Sequence, residues 1–538
     1  MERVLVLGYG YPAYKAAQLV KKLKPEVDLL WITEYSEEKY PLEMVELLLG
    51  SGESPARWSR IRARVKTGFE KNTRMPVISP VRVKKIRFDL QAGEVSFLTN
   101  SGSMNYFFDQ AFIFPEPVFA KPSFAPPEGL LWPQSSCVEY LVNNWTRLES
   151  IKVVGNDLSA VQSLACGEKS FEWVRSRDFF SRQIQFFVDE YMKSRGGSVV
   201  KCSDLEKESP GTVLKDSHNA VLYCSKPLLD LDKLESMGID SPAEYLDGSG
   251  VYVKNNVCIT APYAARDYAQ HPPSLEHRLQ TALFSVKSLL GSDSPHPPQR
   301  SSRVWNISGL HTGSAGLSVE QALENGLKPE WAIVCDADSP LEEAKHALHL
   351  IVDKDSRRLL GVECAGAKAA AWVDMFAYLV SKRAVLEDLL QQDMVSSWSG
   401  LHPLKKCARI LENKLASKIL GINPTELEES YNQGAEFFLL DVRSAEEYQK
   451  VRISGAENIP LPELKKKVMQ IPRFVPLVLY SRCSGRAYQG ARLLQSMGAK
   501  QLYVLDGGIE LWPLLNETEQ DTGTGPIIVP SGCSISCC

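Results

Sequence analysis

Residues 3–13 read RVLVLGYGYPA, a run of apolar and β-branched residues that ends at Gly8 and continues through Gly10 and Ala13. This order predicts a buried strand, a glycine turn and the start of a helix. Gly8 permits the tight turn, Gly10 lets the backbone approach a pyrophosphate, and Ala13 lets the helix pack closely on the strand. The helix N-terminus then attracts the anion. The stretch therefore predicts a dinucleotide-binding α/β fold.

The strand–turn–helix–strand unit occurs twice. The second strand of the first unit ends at Glu34, where a carboxylate can accept hydrogen bonds from ribose hydroxyls. The order recurs from Ile151, with Gly155 at the turn, so two Rossmann-like folds are predicted. The central glycine of the second fingerprint is replaced by Asp157, whose carboxylate repels a pyrophosphate. Binding of NAD(P)H in the usual manner is therefore doubtful.

Composition and charge limit the class of protein. The chain has 538 residues, of which 44% are hydrophobic and 23% charged, with a formal net charge of −4. These values are typical of globular domains and give no basic footprint for nucleic acid. No apolar run reaches about 18 residues, so we expect no membrane span. The N-terminus lacks the order of a signal peptide, which predicts a cytoplasmic protein.

A second informative pattern covers residues 423–515. It contains, in order, a buried strand ending in Asp441-Val442-Arg443, the segment ISGAENIP (453–460), a strand at 477–480, the loop SRCSGR (481–486), a helix at 487–497 and Leu505-Asp506-Gly507-Gly508. In order and spacing this segment resembles a single-domain rhodanese. In that family a cysteine holds the first position of a six-residue loop, whose backbone amides cradle an anionic sulfur substrate and lower the thiol pKa.

The loop departs from the rhodanese pattern at its first position, which is Ser481, and carries its cysteine two residues later as Cys483. Arg486 matches the arginine that closes the family's loop. A serine hydroxyl cannot form a persulfide, so three interpretations remain open. Cys483 is a displaced nucleophile, or the loop binds an anion or a persulfide carried by a partner, or the domain is inert and serves docking.

The larger body resembles the FAD/NAD(P)-dependent pyridine nucleotide-disulfide oxidoreductases, in particular the coenzyme A-disulfide reductases and NADH oxidases, some of which carry a C-terminal rhodanese domain. Residues 263–269 (YAARDYA) match the family's second flavin motif, with Asp267 at the ribityl-binding position and Arg266 in place of a glycine. Residues 314–318 resemble the entry into the dimerisation domain, which implies a homodimer. The resemblance implies that FAD contacts Gly8, Gly10, Ala13, Glu34 and Asp267.

The family's cysteine beside the flavin is missing, because the chain has no cysteine before Cys137. Thiol–disulfide exchange requires a thiolate, which must then come from Cys483 or from the C-terminal Cys533, Cys537 and Cys538. The tail resembles the terminal cysteine pair of mercuric reductases and can shuttle electrons, carry persulfide sulfur or bind soft metals. The candidate catalytic residues are Cys483, Arg486, Cys537 and Cys538, and no metal site is assigned.

The predicted architecture is α/β, with two Rossmann-like folds, a dimerisation α+β domain and a rhodanese-like α/β domain. Its segments are an FAD-binding-like domain (1–149 and 246–330), a degenerate NAD(P)-binding-like domain (150–245), a dimerisation domain (331–420), a linker (421–424) leading into the rhodanese-like domain (423–515), and a flexible cysteine tail (516–538). The favoured function is a flavin-dependent oxidoreductase of sulfur, persulfide or thiol–disulfide metabolism, acting on a small sulfur compound or a persulfide carrier. The alternative is a degenerate scaffold or sulfur carrier that docks through the rhodanese-like domain.

Overall fold

The computed structural model describes most of residues 2–512. Outside the description lie residues 1, 9–10, 35–53, 62–80, 84, 90–91, 100–101, 116–117, 120, 127–128, 165–168, 203–217, 225–226, 229–230, 237–250, 255, 262–274, 292–301, 308, 338–344, 395–401, 417–418, 473 and 513–538. The chain divides into two compact units. The first comprises Met1–Arg177, Met192–Ser301 and Asn306–Ser308, and the second comprises Asp178–Tyr191, Ser302–Trp305 and Gly309–Cys538.

The elements are numbered in chain order. The strands are β1 (Arg3–Gly8), β2 (Asp28–Glu34), β3 (Val81–Val83), β4 (Lys85–Asp89), β5 (Glu94–Thr99), β6 (Gly102–Phe107), β7 (Gln110–Phe114), β8 (Val118–Phe119), β9 (Leu130–Trp132), β10 (Ser150–Val154), β11 (Ser170–Arg175), β12 (Gly197–Lys201), β13 (Asn219–Cys224), β14 (Pro227–Leu228), β15 (Val251–Lys254), β16 (Val257–Thr260), β17 (Arg303–Ile307), β18 (Leu310–Gly316), β19 (Pro329–Ala337), β20 (Lys345–Asp353), β21 (Leu359–Ala365), β22 (Leu420–Ile422), β23 (Phe438–Asp441), β24 (Glu457–Asn458), β25 (Leu477–Tyr480) and β26 (Leu502–Leu505). The α-helices are α1 (Tyr11–Leu23), α2 (Ser135–Asn144), α3 (Leu158–Leu164), α4 (Arg182–Ser194), α5 (Leu231–Ser236), α6 (Leu275–Leu289), α7 (Val319–Glu324), α8 (Ala369–Ser381), α9 (Leu386–Gln391), α10 (Pro403–Leu415), α11 (Pro424–Asn432), α12 (Ala445–Lys450), α13 (Leu464–Lys467) and α14 (Ser484–Ser496).

The first unit is built on two parallel sheets. One has the strand order β15-β16-β7-β1-β2-β3, in which only the β15–β16 pair is antiparallel. The other has the order β12-β11-β10-β13-β9 and is parallel throughout. Strands buried on both faces need continuous apolar side chains, and Val4, Leu5 and Val6 of β1 are fully buried. A small antiparallel sheet of β4, β5 and β6 completes the described sheets of this unit, together with the β8–β14 pair.

The second unit contains an antiparallel and a parallel sheet. The antiparallel sheet has the order β17-β18-β21-β20-β19, and α8 and α10 cover one of its faces. The parallel sheet has the order β22-β26-β25-β23-β24. One apolar core joins the two, because Leu404 and Leu411 of α10 belong to the same buried cluster as Ala487 and Leu494 of α14. These sheets confirm the predicted α/β class with an added α+β domain.

Strand pairing distributes the chain differently from the predicted segments. Strand β9 lies in the second parallel sheet, although residues up to 149 were assigned to the first fold. Strands β17 and β18 lie in the antiparallel sheet, although residues up to 330 were assigned to the flavin-binding fold. Both differences arise from pairing between strands that are far apart in sequence, which a local pattern does not report.

The predicted linker at residues 421–424 is wrong. Leu420–Ile422 forms strand β22, which pairs with β26, and α11 begins at Pro424. A Cβ at Gly421 would collide with the Lys414 side chain and the Asp506 carboxylate, so this glycine is required by packing. The segment is therefore part of the rhodanese-type sheet.

Lys414 and Asp506 form a buried ion pair inside the second unit. The Nζ of Lys414 lies 2.6 Å from Asp506 Oδ2 and donates to the Trp331 carbonyl at 2.7 Å. Their side chains are 7% and 0% exposed. Burial raises the pKa of Asp506 to about 6 even though Lys414 acts in the opposite direction. The pair links α10 to the segment that follows β26.

No helix of the part of the chain described here is both long and apolar enough to cross a membrane.

Lys414→Met is expected to lower the free energy of unfolding by about 3–5 kcal/mol, because it leaves the Asp506 charge buried without its cation. Urea denaturation followed by tryptophan fluorescence measures the change. The Lys414→Met/Asp506→Asn double variant should recover most of the loss. Lys405→Met, on the same helix but partly exposed, is the control. Wild-type stability in the single Lys414 variant would contradict this role for the pair.

Candidate functional site

The described residues on either side of Tyr9 and Gly10 have the backbone that the sequence predicts for a dinucleotide-type turn. Gly8 ends β1 with φ +142°, and a Cβ there would lie 2.5 Å from the Phe114 carbonyl oxygen of the neighbouring strand. Helix α1 begins at Tyr11, and Ala13 is fully buried against the sheet. The indole of Trp31 donates to the Gly8 carbonyl at 2.9 Å. Strand, turn and helix are therefore packed as closely as a dinucleotide fold requires.

The described part of this turn fits the pyrophosphate of a dinucleotide. Gly8 has no side chain and Ala13 has only a buried methyl group, so β1 and α1 approach closely, and the N-terminus of a 13-residue helix faces the turn. Glu34 ends β2, the parallel neighbour of β1, as predicted for a ribose-binding carboxylate, but its side chain is not described. Gly10 and Asp267 lie outside the described residues.

The second turn repeats the same backbone. Gly155 follows β10 with φ +127°, and a Cβ there would lie 2.7 Å from the Cys224 Cβ. The Trp173 indole donates to the Gly155 carbonyl at 3.0 Å, the counterpart of the bond between Trp31 and Gly8. The two folds thus share the hydrogen bond from a tryptophan indole to the glycine carbonyl as well as the sequence motif.

The described cysteines of the first unit are placed for packing. Cys137, Cys224 and Cys258 are buried, and burial raises the pKa of Cys137 and of Cys224 far above the ordinary thiol value. Cys202 follows β12 and is half-buried. A thiol with a raised pKa stays protonated and is a poor nucleophile. None of these three buried thiols suits the exchange chemistry of a disulfide reductase.

The loop at residues 481–486 joins β25 to α14 in the second unit. Ser481 is fully buried, and its hydroxyl donates to the Cys483 carbonyl and accepts from the Ala487 amide at 3.2 Å. The Ser481 carbonyl accepts from the Ile509 amide at 3.0 Å. Ser481 is therefore committed to holding the loop, and its hydroxyl lies inside it.

Cys483 occupies the N-cap position of α14. Its backbone is extended, with φ −128° and ψ 163°, and its side chain is half-buried. The N-terminus of a 13-residue helix carries a partial positive charge that stabilises a thiolate. Among the residues of the loop, Cys483 is the thiol with both access to solvent and this electrostatic support.

Both arginines beside Cys483 are held by carboxylates. Arg486 forms a bidentate pair with Glu447, with both nitrogen–oxygen distances at 2.7 Å. The Nε of Arg482 lies 2.8 Å from Glu510 Oε1. The bond from Arg486 lowers the pKa of Glu447 to about 2. The structure therefore brings the predicted Cys483 and Arg486 together on one helix turn, and Cys537 and Cys538 lie outside the described residues.

A family model described as a rhodanese-like domain matches residues 423–514. An uncharacterized protein of Bacillus subtilis (strain 168), YqhL, is 36% identical over 92 residues, which are 17% of this chain and 73% of that protein. Through this domain the chain belongs to the rhodanese-like family. The loop at 481–486 thus lies within a rhodanese-like domain.

Solved structures match nearly the whole chain. A NAD-dependent persulfide reductase from A. fulgidus superposes with a TM-score of 0.78 at 17% identity, covering 95% of this chain and 100% of that one. The reduced CoADR-RHD of Bacillus anthracis gives a TM-score of 0.77 at 14% identity, covering 95% of this chain and 98% of that one. These matches confirm the predicted fold, in which two Rossmann-like folds and a third domain precede the rhodanese-like domain.

Sequence reasoning missed Glu447 and Glu510, the partners of the loop arginines in the rhodanese-like domain. A signal for Glu447 was present, since Ser444-x-x-Glu447 is a capping box, and the structure shows both of its hydrogen bonds. Glu510 lies 28 residues from Arg482 and has no comparable local signal. The order of motifs in the sequence was enough to identify the loop. The carboxylates that neutralise its arginines could be identified only from the folded structure.

Glu447→Gln is expected to remove stability that depends on the ionised carboxylate. The folded pKa is depressed from 4.5 to about 2, so this contribution is present above pH 4.5 and is lost as the pH falls toward 2. After screening at a partly exposed site, we expect about 1 kcal/mol. Urea denaturation at a series of pH values should show the variant less stable at pH 7 and equal to the wild type near pH 2. The exposed Glu429→Gln is the control, and a difference that persists unchanged at pH 2 would contradict the assignment.

Proposed function

We propose that this protein is a flavin-dependent oxidoreductase of sulfur metabolism, in which the first fold holds FAD and the rhodanese-like domain holds sulfur on Cys483. The observation that carries the proposal is the place of Cys483, a half-buried thiol at the N-cap of α14 in the loop of a rhodanese-like domain. The substrate would be a small sulfur compound or the persulfide of a carrier.

Sulfur transfer to Cys483 needs only the thiolate and a persulfide donor. The thiolate attacks the terminal sulfur of the donor, a new sulfur–sulfur bond forms on Cys483, and the donor's own sulfur–sulfur bond breaks as its thiolate leaves. The N-terminus of α14 favours the anion before and after the transfer. Ser481 keeps the loop in shape through its bonds to Cys483 and Ala487.

FAD, when bound, supplies two-electron redox chemistry. The chain's own contribution is to position it. Gly8 permits the tight turn and Ala13 lets the helix pack closely on the strand, and Gly10, Glu34 and Asp267 are the further residues that we propose contact the cofactor. The domain with the antiparallel sheet corresponds to the dimerisation domain of the oxidoreductases that the sequence resembles. We therefore also propose a homodimer.

A second candidate function is a scaffold or sulfur carrier without redox turnover. It is favoured by Ser481, which stands where a rhodanese has its nucleophile and whose hydroxyl is taken up by internal hydrogen bonds. Under this alternative the rhodanese-like domain recognises a partner, and the first fold is structural. The two functions differ in whether the protein holds a flavin.

The flavin is tested by the absorbance spectrum of the purified full chain, with the released cofactor identified by chromatography. We expect a flavin band close to one FAD per chain, because the first turn has the required backbone. The Gly8→Val variant, which forces a side chain against Phe114, should lose the cofactor, and Gly196→Ala, where a Cβ would meet no atom within 4 Å, is the control for a glycine change elsewhere in the unit. A colourless wild-type protein that takes up no added FAD would favour the scaffold.

Sulfur on Cys483 is tested with glutathione persulfide, followed by alkylation and mass spectrometry. We expect one added sulfur atom on the peptide that contains Cys483, because its thiolate is both accessible and stabilised. Cys483→Ser should abolish this label, and Cys202→Ser, which changes the other half-buried described cysteine, should retain it. A wild-type protein that gains no sulfur on Cys483 would contradict the proposal.

A further inference from the structure

Asn156 ties the second dinucleotide-type turn to the neighbouring strand end. Its Oδ1 accepts from the Ser176 amide at 3.0 Å and from the Arg177 amide at 3.4 Å, and its Nδ2 donates to the Ser176 hydroxyl at 2.7 Å. Ser176 and Arg177 directly follow β11. In a doubly wound fold the end of this strand is where a bound dinucleotide places its ribose. The side chain thus spans the mouth of the turn.

Asp157 occupies the helix end at the same turn. Its Oδ1 accepts from the Ser159 amide at 2.8 Å, one of the first-turn donors that a pyrophosphate would otherwise use. The Ser159 hydroxyl in turn accepts from the Trp132 indole at 3.1 Å. Helix α3 begins at Leu158, so the Asp157 carboxylate lies directly at its N-terminus, where an anion would otherwise bind.

The residues present therefore do not fit a bound pyrophosphate. The carboxylate of Asp157 carries the same charge as the ligand, and Asp157 stands at the fingerprint position that is Gly10 in the first motif. The Asp157 charge also affects the buried Cys224 thiol beneath the turn. Burial is the main reason that the pKa of this thiol is raised, and the charge of Asp157 raises it further. The charge of Asp157, the hydrogen bonds of both side chains and their volume all oppose the binding of a pyrophosphate.

We propose that Asn156 and Asp157 form a latch that closes the second fold to NADH and NADPH, so that this fold serves as a structural domain. The latch consists of four hydrogen bonds. Three join the Asn156 side chain to residues 176–177, and the fourth joins the Asp157 side chain to the Ser159 amide. The closed turn itself does not depend on whether the first fold holds FAD. If FAD is bound as proposed, its electrons come from a donor other than a nucleotide held in this fold.

The test is a titration of the purified full chain with NADH and with NADPH, followed by nucleotide fluorescence. We expect no saturable binding to the wild type, and binding at least about tenfold tighter in the Asn156→Gly/Asp157→Gly variant, because glycines release the amides and remove the charge. Asn144→Gly, which removes an asparagine of α2 in the same unit, should bind no better than the wild type.

Two results would overturn the latch. One is saturable binding of either nucleotide to the wild-type chain at micromolar concentration. The other is an Asn156→Gly/Asp157→Gly variant that keeps the wild-type circular dichroism and melting temperature yet still fails to bind. Flavin content is measured in the same samples. A colourless protein would contradict the proposed function, whereas the nucleotide titration would still test the latch.

Discussion

The position of the Cys483 loop depends on a buried ion pair that lies outside it. Asp506, paired with Lys414 at 2.6 Å, directly precedes Gly507. The Gly507 amide donates to the Ser484 hydroxyl at 2.8 Å and approaches the Ile333 carbonyl at 3.1 Å. Because desolvated charges are tolerated only while both partners stay in place, the pair fixes this segment against β19. The helix capped by Cys483 begins at the residue that Gly507 holds.

The electrostatics of the loop come from its backbone more than from its basic side chains. Arg482 and Arg486 are each matched by a carboxylate, so neither contributes an uncompensated positive charge to the rim. The N-terminal end of the α14 dipole acts directly on the cap residue. A thiolate at Cys483 is therefore supported by its position on the helix. Counting arginines in the sequence would overestimate the attraction for a small anion.

The sequence predicted those features that depend on neighbouring residues. The turns at Gly8 and Gly155 and the order of the rhodanese-like domain follow from local spacing. The linker prediction failed because a glycine followed three residues later by a proline indicates a loop, whereas Gly421 is a packing requirement created by Lys414 and Asp506. These two residues are 92 positions apart, and no local pattern connects them. The candidate loop was therefore predictable, and the ion pairs that hold it were not.

The two dinucleotide-type turns show which position of the fingerprint reports on a ligand. In both turns the first glycine is required by packing, since a Cβ would press on Phe114 in one and on Cys224 in the other. In both, a tryptophan of the adjacent strand donates to that glycine's carbonyl. These features persist in a turn whose mouth is filled by its own side chains, so they specify the fold and not its occupancy. The positions that differ in charge and hydrogen bonding, Asn156 and Asp157 in the second turn, are the ones that bear on whether a pyrophosphate can approach the backbone.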